Sequence, residues 1–245
     1  MANKELNISW CYPDILNLHG DRGNIMALKR ISELLGLKVN INRISNYKDK
    51  IDFSSSDILL FNVGELKSIS YLVEALQNQK EELDKYVSEN KTVIIIGTTV
   101  CAFGKKTIML DDKEIMGLGY LDLNCYERNS IYGNDLIYKL KNSDMEINGS
   151  QISIVDVVLN SDISLGTSIY GRGNNGNKSE GAKYKNIIFT NCLGPVFVKN
   201  PWFAEKIIRD AMKIKGYNIK KKISKKEYDL ELKSMNCIKK YNLNK

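Results

Sequence analysis

Short β-branched apolar runs alternate along this chain with segments whose apolar residues recur every three to four positions. That alternation predicts βαβ units around a mostly parallel sheet. Residues 6–11 (LNISWC) read as a first strand, broken by Pro13. After a polar loop, Ile25, Leu28, Ile31, Leu34 and Leu35 form one stripe of a helix beginning near Gly23. Gly36 ends it, since a residue without Cβ takes the left-handed cap easily. Residues 38–44 (KVNINRI) alternate as a second strand, and 57–62 (DILLFN) are continuous enough to be buried on both faces, as in a parallel sheet. A long amphipathic helix is predicted over 68–89 and a central strand over 92–96 (TVIII). The turn Gly97-Thr98-Thr99 follows, with a helix from about Val100.

The second half changes character. Between 115 and 170, short alternating segments separated by Gly and Asn turns suggest antiparallel strands. Residues 186–193 (NIIFTNCL) form another buried strand leading to Gly194-Pro195, and a last helix covers about 201–215. No internal repeat or Pro/Gly-rich linker divides the chain. It reads as one α/β domain over 1–216 with a lysine-rich, weakly helical tail over 217–245. That tail has few large apolar residues at helical spacing, so it is expected to be dispensable for folding.

Composition narrows the function. With 245 residues, 43% of them hydrophobic, the chain can bury a full core, which excludes disorder and small disulfide scaffolds. The net charge of +7 hints at nucleic acid. Much of the excess, however, lies in the tail, where KKEYDLELK interleaves acids as a solvated helix face does, so no nucleic-acid partner is expected. Five cysteines (Cys11, Cys101, Cys125, Cys192, Cys237), an odd number with no C-x-x-C pair, read as free thiols of a cytoplasmic protein. No signal-peptide pattern and no apolar run long enough for membrane insertion are present. His19 is the only histidine. HExxH zinc hydrolases are thereby excluded, and a Ser-His-Asp or Cys-His hydrolase requires His19 itself as the base.

Residues 171–176 (GRGNNG) match G-x-G-x-x-G, but no helical period follows to hold a phosphate, so the segment reads as a loop. In open parallel sheets ligands sit beyond the carboxyl ends of the strands. That rule selects the loops Asp14–Asn24, Val63–Leu66, Gly97–Cys101 and Leu193–Val196, which carry His19, Asp21, Glu65 and Cys101, with Cys192 just before the last. Ile96-Gly97-Thr98-Thr99 has the shape of a nucleophile elbow. Its apex, Gly97, has no side chain, and Cys101 lies four residues later, where it fits a small buried hydrophobe better than a nucleophile.

The stretches LNLHGDRGNIMALKR (16–30), IMGLGYLDL (115–123), GRGNNGNKSEGAKYKNIIFTN (171–191) and GPVFVKN (194–200) carry a resemblance. In order and spacing they resemble class I glutamine amidotransferases of the cobyric acid synthase (CobB/CobQ) type, and within them the GatD family of glutaminase subunits of lipid II isoglutaminyl synthase. The resemblance implies a flavodoxin-like class I glutamine amidotransferase fold, a central mostly parallel sheet flanked by helices. It also implies a cytoplasmic heterodimer with a Mur-ligase-like (MurT-like) subunit that uses ATP. There the pair amidates the D-glutamate of the lipid II stem peptide, with ammonia passed from the glutaminase. No cofactor of this chain and no metal are implied.

The family's chemistry is missing where the motifs demand it. Its C-G-G-Y-Q turn, with the nucleophilic cysteine first, falls on Gly97-Thr98-Thr99-Val100-Cys101. Its Y-L-H-G-P, with the basic histidine, falls on Asn191-Cys192-Leu193-Gly194-Pro195, so Leu193 replaces the base. The F-E-N-H-x-G-R-T segment falls near 154–165, which reads IVDVVLNSDISL, and the glutamine-binding arginine falls on Ser130 before Gly133. Loss of nucleophile or base alone costs on the order of a millionfold in turnover. The expectation is a catalytically degenerate glutaminase-like subunit kept for binding or scaffolding, its old pocket partly filled by Val100, Leu193 and the 154–159 run. The alternative is an active amidotransferase or hydrolase with a rewired site, in which Cys101 or Cys192 attacks and His19 is the base.

Overall fold

The computed structural model describes residues 4–243. In chain order the first half contains β1 (Glu5–Cys11), α1 (Arg22–Leu34), β2 (Lys38–Ile44), β3 (Ile58–Phe61), α2 (Ile69–Gln77), α3 (Lys80–Ser88) and β4 (Thr92–Ile96). The second half adds β5 (Lys106–Ile108), β6 (Glu114–Met116), β7 (Leu123–Leu140), β8 (Glu146–Leu159), β9 (Gly166–Tyr170), β10 (Ser179–Glu180), β11 (Ala182–Tyr184) and β12 (Ile187–Thr190). Three helices close the chain: α4 (Val196–Lys199), α5 (Pro201–Ile214) and α6 (Asp229–Leu243).

One six-stranded sheet runs β11-β12-β4-β3-β1-β2, parallel throughout except for β11. The two central strands are buried at every residue, which is why they read as unbroken apolar runs. On one face Leu6 and Ile8 pack with Leu28 of α1 and Ile207 of α5. On the other Leu59 and Phe61 pack with Leu72 of α2 and Leu83 of α3. The fold is therefore mixed α/β with a mostly parallel sheet flanked by helices, as the alternating pattern predicts. A second sheet, β10-β9-β7-β5-β6 with β8 added on β7, builds the predicted antiparallel region. Its long β7–β8 hairpin slips register between Glu127 and Tyr132, so residues 128–131 bulge opposite Ile154.

Two predicted helices differ. The helix expected over 68–89 is two helices, because Gln79 leaves helical geometry (φ −127°, ψ 26°). Its side chain accepts a hydrogen bond from the Ile51 N–H at 2.8 Å and donates to the Ala75 carbonyl at 3.1 Å. The helix expected from Val100 is only a short 3₁₀ segment, Gly97–Ala102. Beyond it the chain is drawn into backbone pairing: Lys105 N–H donates to the Leu123 carbonyl and Leu121 N–H to the Phe103 carbonyl.

The C-terminal segment is more than a solvated tail. Its helix α6 buries Met235, and Tyr228 just before it is buried against Trp202, ring centroids 6.4 Å apart. The Tyr228 hydroxyl donates to Glu205 at 2.7 Å, and Lys239 pairs with Glu146 at 2.5 Å. The expected dispensability conflicts with this packing, whose apolar contacts are too widely spaced in sequence to show a helical period. Truncation after Tyr217 is expected to lower the melting temperature by roughly 10 °C, since burying two such side chains stabilises by about 1.5–3 kcal/mol each. A melting curve unchanged within a degree or two contradicts this packing.

Candidate functional site

The carboxyl ends of β1, β3, β4 and β12 converge on one edge of the parallel sheet, where such folds place their chemistry. Two of the turns there carry a glycine in the left-handed region. Gly97, the first residue after β4, has φ +61°, and Gly194, beyond β12, has φ +76°. A side chain at Gly97 would have its Cβ 2.7 Å from Val63 Cγ2 and 3.1 Å from Leu193 Cδ2. Gly97 and Leu193 thus face one another across the strand ends, although 96 positions separate them in sequence. Neither can give up a nucleophile or a proton. Leu193 is fully buried and held by a two-way backbone bridge: its N–H donates to the Ser150 carbonyl at 2.7 Å, and the Ser150 N–H donates back at 3.3 Å.

Beside Thr98 lies a hollow of about 480 Å³. Its wall is mainly apolar, with Leu18, Val63, Met109, Ile131, Ile152 and Ile154, but Glu65, Lys67 and Glu127 also line it. His19 stands exposed at its rim with φ +57°. Of the residues expected to fill this space, Ile154 contributes to the wall, whereas Val100 and Leu193 are buried in the core. Ser130 is exposed on the β7 bulge, where its carbonyl accepts from Arg128 Nε at 3.3 Å. Arg128 and Arg172 are both held by Asp156, with contacts of 2.9–3.0 Å to its two oxygens.

Cys101 and Cys192 are both fully enclosed, and neither lines the hollow that His19 borders. Burial, reinforced by the Glu180 carboxylate and opposed by Lys199, raises the Cys192 thiol well above the ordinary range. Cys101 lies against Cys125 inside the fold. Since the thiolate is the attacking form, enclosure works against either thiol as a nucleophile.

Two buried polar networks were not legible as such in the sequence. In the first, Asp21 accepts from the Val63 N–H at 3.2 Å and from Asn24 Nδ2 at 3.3 Å. Asn24 also reaches Asn62 Oδ1 at 3.1 Å and accepts from the Phe197 N–H, while Thr99 Oγ1 donates to the Asn62 carbonyl at 2.6 Å. This ties the β1 loop, the end of β3, the elbow and α4 together. The signal was present in part, as an Asn closing the apolar run DILLFN and an Asp-x-x-Asn opening α1. In the second, fully buried Glu180 accepts from Thr190 Oγ1 at 2.8 Å and from the Asn191 N–H and Nδ2, each at 2.9 Å. Asn191 then reaches Asn174 of the GRGNNG loop at 2.9 Å. Two glycines of that loop serve close backbone approach: a Cβ on Gly171 would fall 2.6 Å from the Asp135 carbonyl oxygen, and one on Gly173 2.3 Å from that of Ser179.

Burial raises the Asp21 carboxyl to about 7, against the pull of its Val63 hydrogen bond. Because the folded state holds this proton to higher pH than the unfolded one, the stabilisation is complete below about pH 4 and is lost as pH rises to about 7. The loss is at most about 4 kcal/mol. Urea midpoints should therefore fall between pH 4 and 7, and Asp21→Asn should reduce that slope. An unchanged slope in the variant refutes the assignment.

No protein-family model matches the chain. The lipid II isoglutaminyl synthase (glutamine-hydrolyzing) subunit GatD of Streptococcus pneumoniae is 29% identical over 214 residues, covering 86% of this chain and 82% of that one. The subunit of the same name from Staphylococcus aureus is 28% identical over 240 residues, 94% of each chain. Among solved structures, a chain of PurLQS from Thermotoga maritima superimposes with a TM-score of 0.52 at 13% identity, over 77% of this chain and 86% of that one. A glutamine amidotransferase crystal structure gives 0.49 at 12% identity, over 86% and 99%. By sequence over most of its length this chain is similar to the GatD subunits of lipid II isoglutaminyl synthase, and by architecture it is an α/β protein of the glutamine amidotransferase fold.

Proposed function

We propose that this chain is a GatD-like subunit that has lost glutamine hydrolysis and acts as a cytoplasmic binding or scaffolding partner of a Mur-ligase-like protein in amidation of the lipid II peptidoglycan precursor. One observation carries the loss of chemistry. Gly97 and Leu193, the positions matching the family's nucleophile and base, still face each other, and neither has a reactive group. Val63, packed beside Gly97, and Leu193 can pair no polar group of a bound glutamine, and each such group left unpaired there would cost several kcal/mol. Retention as a subunit is supported by the relatives, which are named as subunits of a synthase and are matched over most of their length.

The test is co-expression with the Mur-ligase-like protein of the same cell, followed by co-purification and an ammonia assay. A stable complex that releases no ammonia from glutamine supports the proposal. Steady ammonia release that disappears in Cys101→Ala or Cys192→Ala replaces it with the rewired Cys/His enzyme. Failure to associate removes the scaffolding role.

A further inference from the structure

Residues 213–226 (KIKGYNIKKKISKK) hold seven lysines and no acid, as many positive charges as the net +7 of the whole chain. The stretch is fixed to the fold rather than loose. The Tyr217 N–H donates to the Met212 carbonyl at 2.8 Å, and Arg209 donates to the carbonyls of Ile219 and Lys221 at 2.8 and 2.6 Å. Ile219 and Ile223 pack against the core beneath α1 and α5, and buried Tyr228 anchors the far end. The strip runs along the amino-end edge of the parallel sheet. There Lys4, just before β1, donates to the Asn218 carbonyl, and Lys215 pairs with Asp57, just before β3. That edge is opposite the candidate site, which lies at the carboxyl ends.

The acids bordering the strip already have partners: Asp57 with Lys215 at 2.7 Å, Glu205 with Arg209 at 2.6 Å, Asp210 with Lys206 at 2.8 Å and Glu227 with Arg30 at 3.7 Å. Among the described residues no carboxylate lies within 4.0 Å of Lys213, Lys220, Lys221, Lys222, Lys225 or Lys226, and all six are exposed. Asp229 and Glu231, beyond the far end, form no ion pair and offset two of these six charges at most. An excess of at least four therefore faces outward from one ordered edge. Exposed Ile214 and Tyr217 lie at its start.

We infer that this strip seats the chain reversibly on an anionic lipid bilayer. Clustered lysines act as point charges suited to a diffuse layer of anionic headgroups. The exposed Ile214 and Tyr217 fit the boundary between headgroups and hydrocarbon. Nucleic-acid surfaces depend more on arginine forks and on aromatic faces for base stacking. The arginines beside the strip, Arg30 and Arg209, are committed to acids, and the Tyr217 ring is covered by Lys4 at 5.1 Å. A second copy of this chain carries the same charge and repels.

The test sediments the full chain alone with phosphatidylcholine vesicles, with and without phosphatidylglycerol. It should bind only the anionic vesicles at about 0.1 M salt, where exposed charges act over roughly 10 Å, and leave them at about 1 M, where that range is roughly 3 Å. The triple variant Lys220→Gln, Lys221→Gln, Lys222→Gln should bind about a hundredfold more weakly, at about fivefold per lysine. Its melting temperature should not move, since all three side chains are exposed. Lys178→Gln, Lys183→Gln, Lys185→Gln removes the same charge outside the strip and should keep most of the affinity. No binding to anionic vesicles, or equal losses in the two triple variants, overturns the inference. Tighter binding to duplex DNA or single-stranded RNA than to vesicles at the same salt overturns the choice of occupant. Because no other protein takes part, each of these outcomes leaves the function proposed above standing.

Discussion

Purified protein incubated with millimolar glutamine is expected to release ammonia no faster than buffer. A glutaminase of this architecture needs a thiolate at the elbow and a proton carrier opposite it. The elbow apex here is Gly97, and the residue across from it is the buried side chain of Leu193. Removal of either member of such a pair typically costs on the order of a millionfold, so a site lacking both is expected to show no measurable turnover. Gly97→Cys alone is expected to remain inactive, since it supplies a thiol without a base or an anchor for the substrate carboxylate. It should also be destabilised by about 1–3 kcal/mol, because its Cβ would meet Val63 Cγ2 at 2.7 Å. Ammonia release from Gly97→Cys would show that some other group serves as base.

The largest stability effect is expected from Glu180→Ala. Glu180 is fully buried, and its two oxygens satisfy the Thr190 hydroxyl, the Asn191 N–H and the Asn191 side-chain amide. Removing the acceptor leaves the Asn191 N–H without a partner. It also takes one of two partners from the Asn191 amide, which keeps Asn174, and from the Thr190 hydroxyl, which keeps the Tyr138 hydroxyl at 3.2 Å. The cost is about 1–3 kcal/mol for each bond not replaced. The expected fall in melting temperature is on the order of 10–15 °C. The strand end that carries Cys192 and Leu193 should loosen with it, because the Cys192 N–H donates to the same Thr190 hydroxyl at 3.0 Å. Hydrogen exchange should show protection lost first over residues 190–194. A variant as stable as the parent chain would mean that water replaces the carboxylate without cost.

The parallel sheet was legible because burial on both faces leaves a plain mark: TVIII and DILLFN can hardly be anything but inner strands. The stripe Ile25, Leu28, Ile31 fixed α1 in the same way, through a period that packing against one face enforces. Where tertiary pairing overrode local preference, the pattern misled. The run after Val100 has helical composition, yet backbone bonds from residues 103–105 to Leu121 and Leu123 stop the helix after a short 3₁₀ segment. Gln79 breaks a continuous amphipathic stripe to satisfy the amide of Ile51, 28 positions away. At the candidate site, motif spacing singled out Gly97 and Leu193 but said nothing of their neighbours. Asp21, Asn24, Asn62, Glu180 and Asn191 join into networks only when the chain folds, since each partner lies on a different loop. The Arg128–Asp156–Arg172 cluster depends on a bulge that shifts register between Glu127 and Tyr132, and no local pattern marks that shift.

The claim that the glutaminase site is chemically empty can be tested without relying on turnover. The protein, together with its co-expressed Mur-ligase-like partner, is incubated with the diazoketone glutamine analogue 6-diazo-5-oxo-L-norleucine, which alkylates an activated thiol in a glutamine pocket. Intact mass and peptide mapping then report any adduct. The account predicts an unmodified chain, or slow modification confined to the exposed Cys237 and insensitive to competing glutamine. A single stoichiometric adduct on Cys101 or Cys192, suppressed by glutamine, would contradict it.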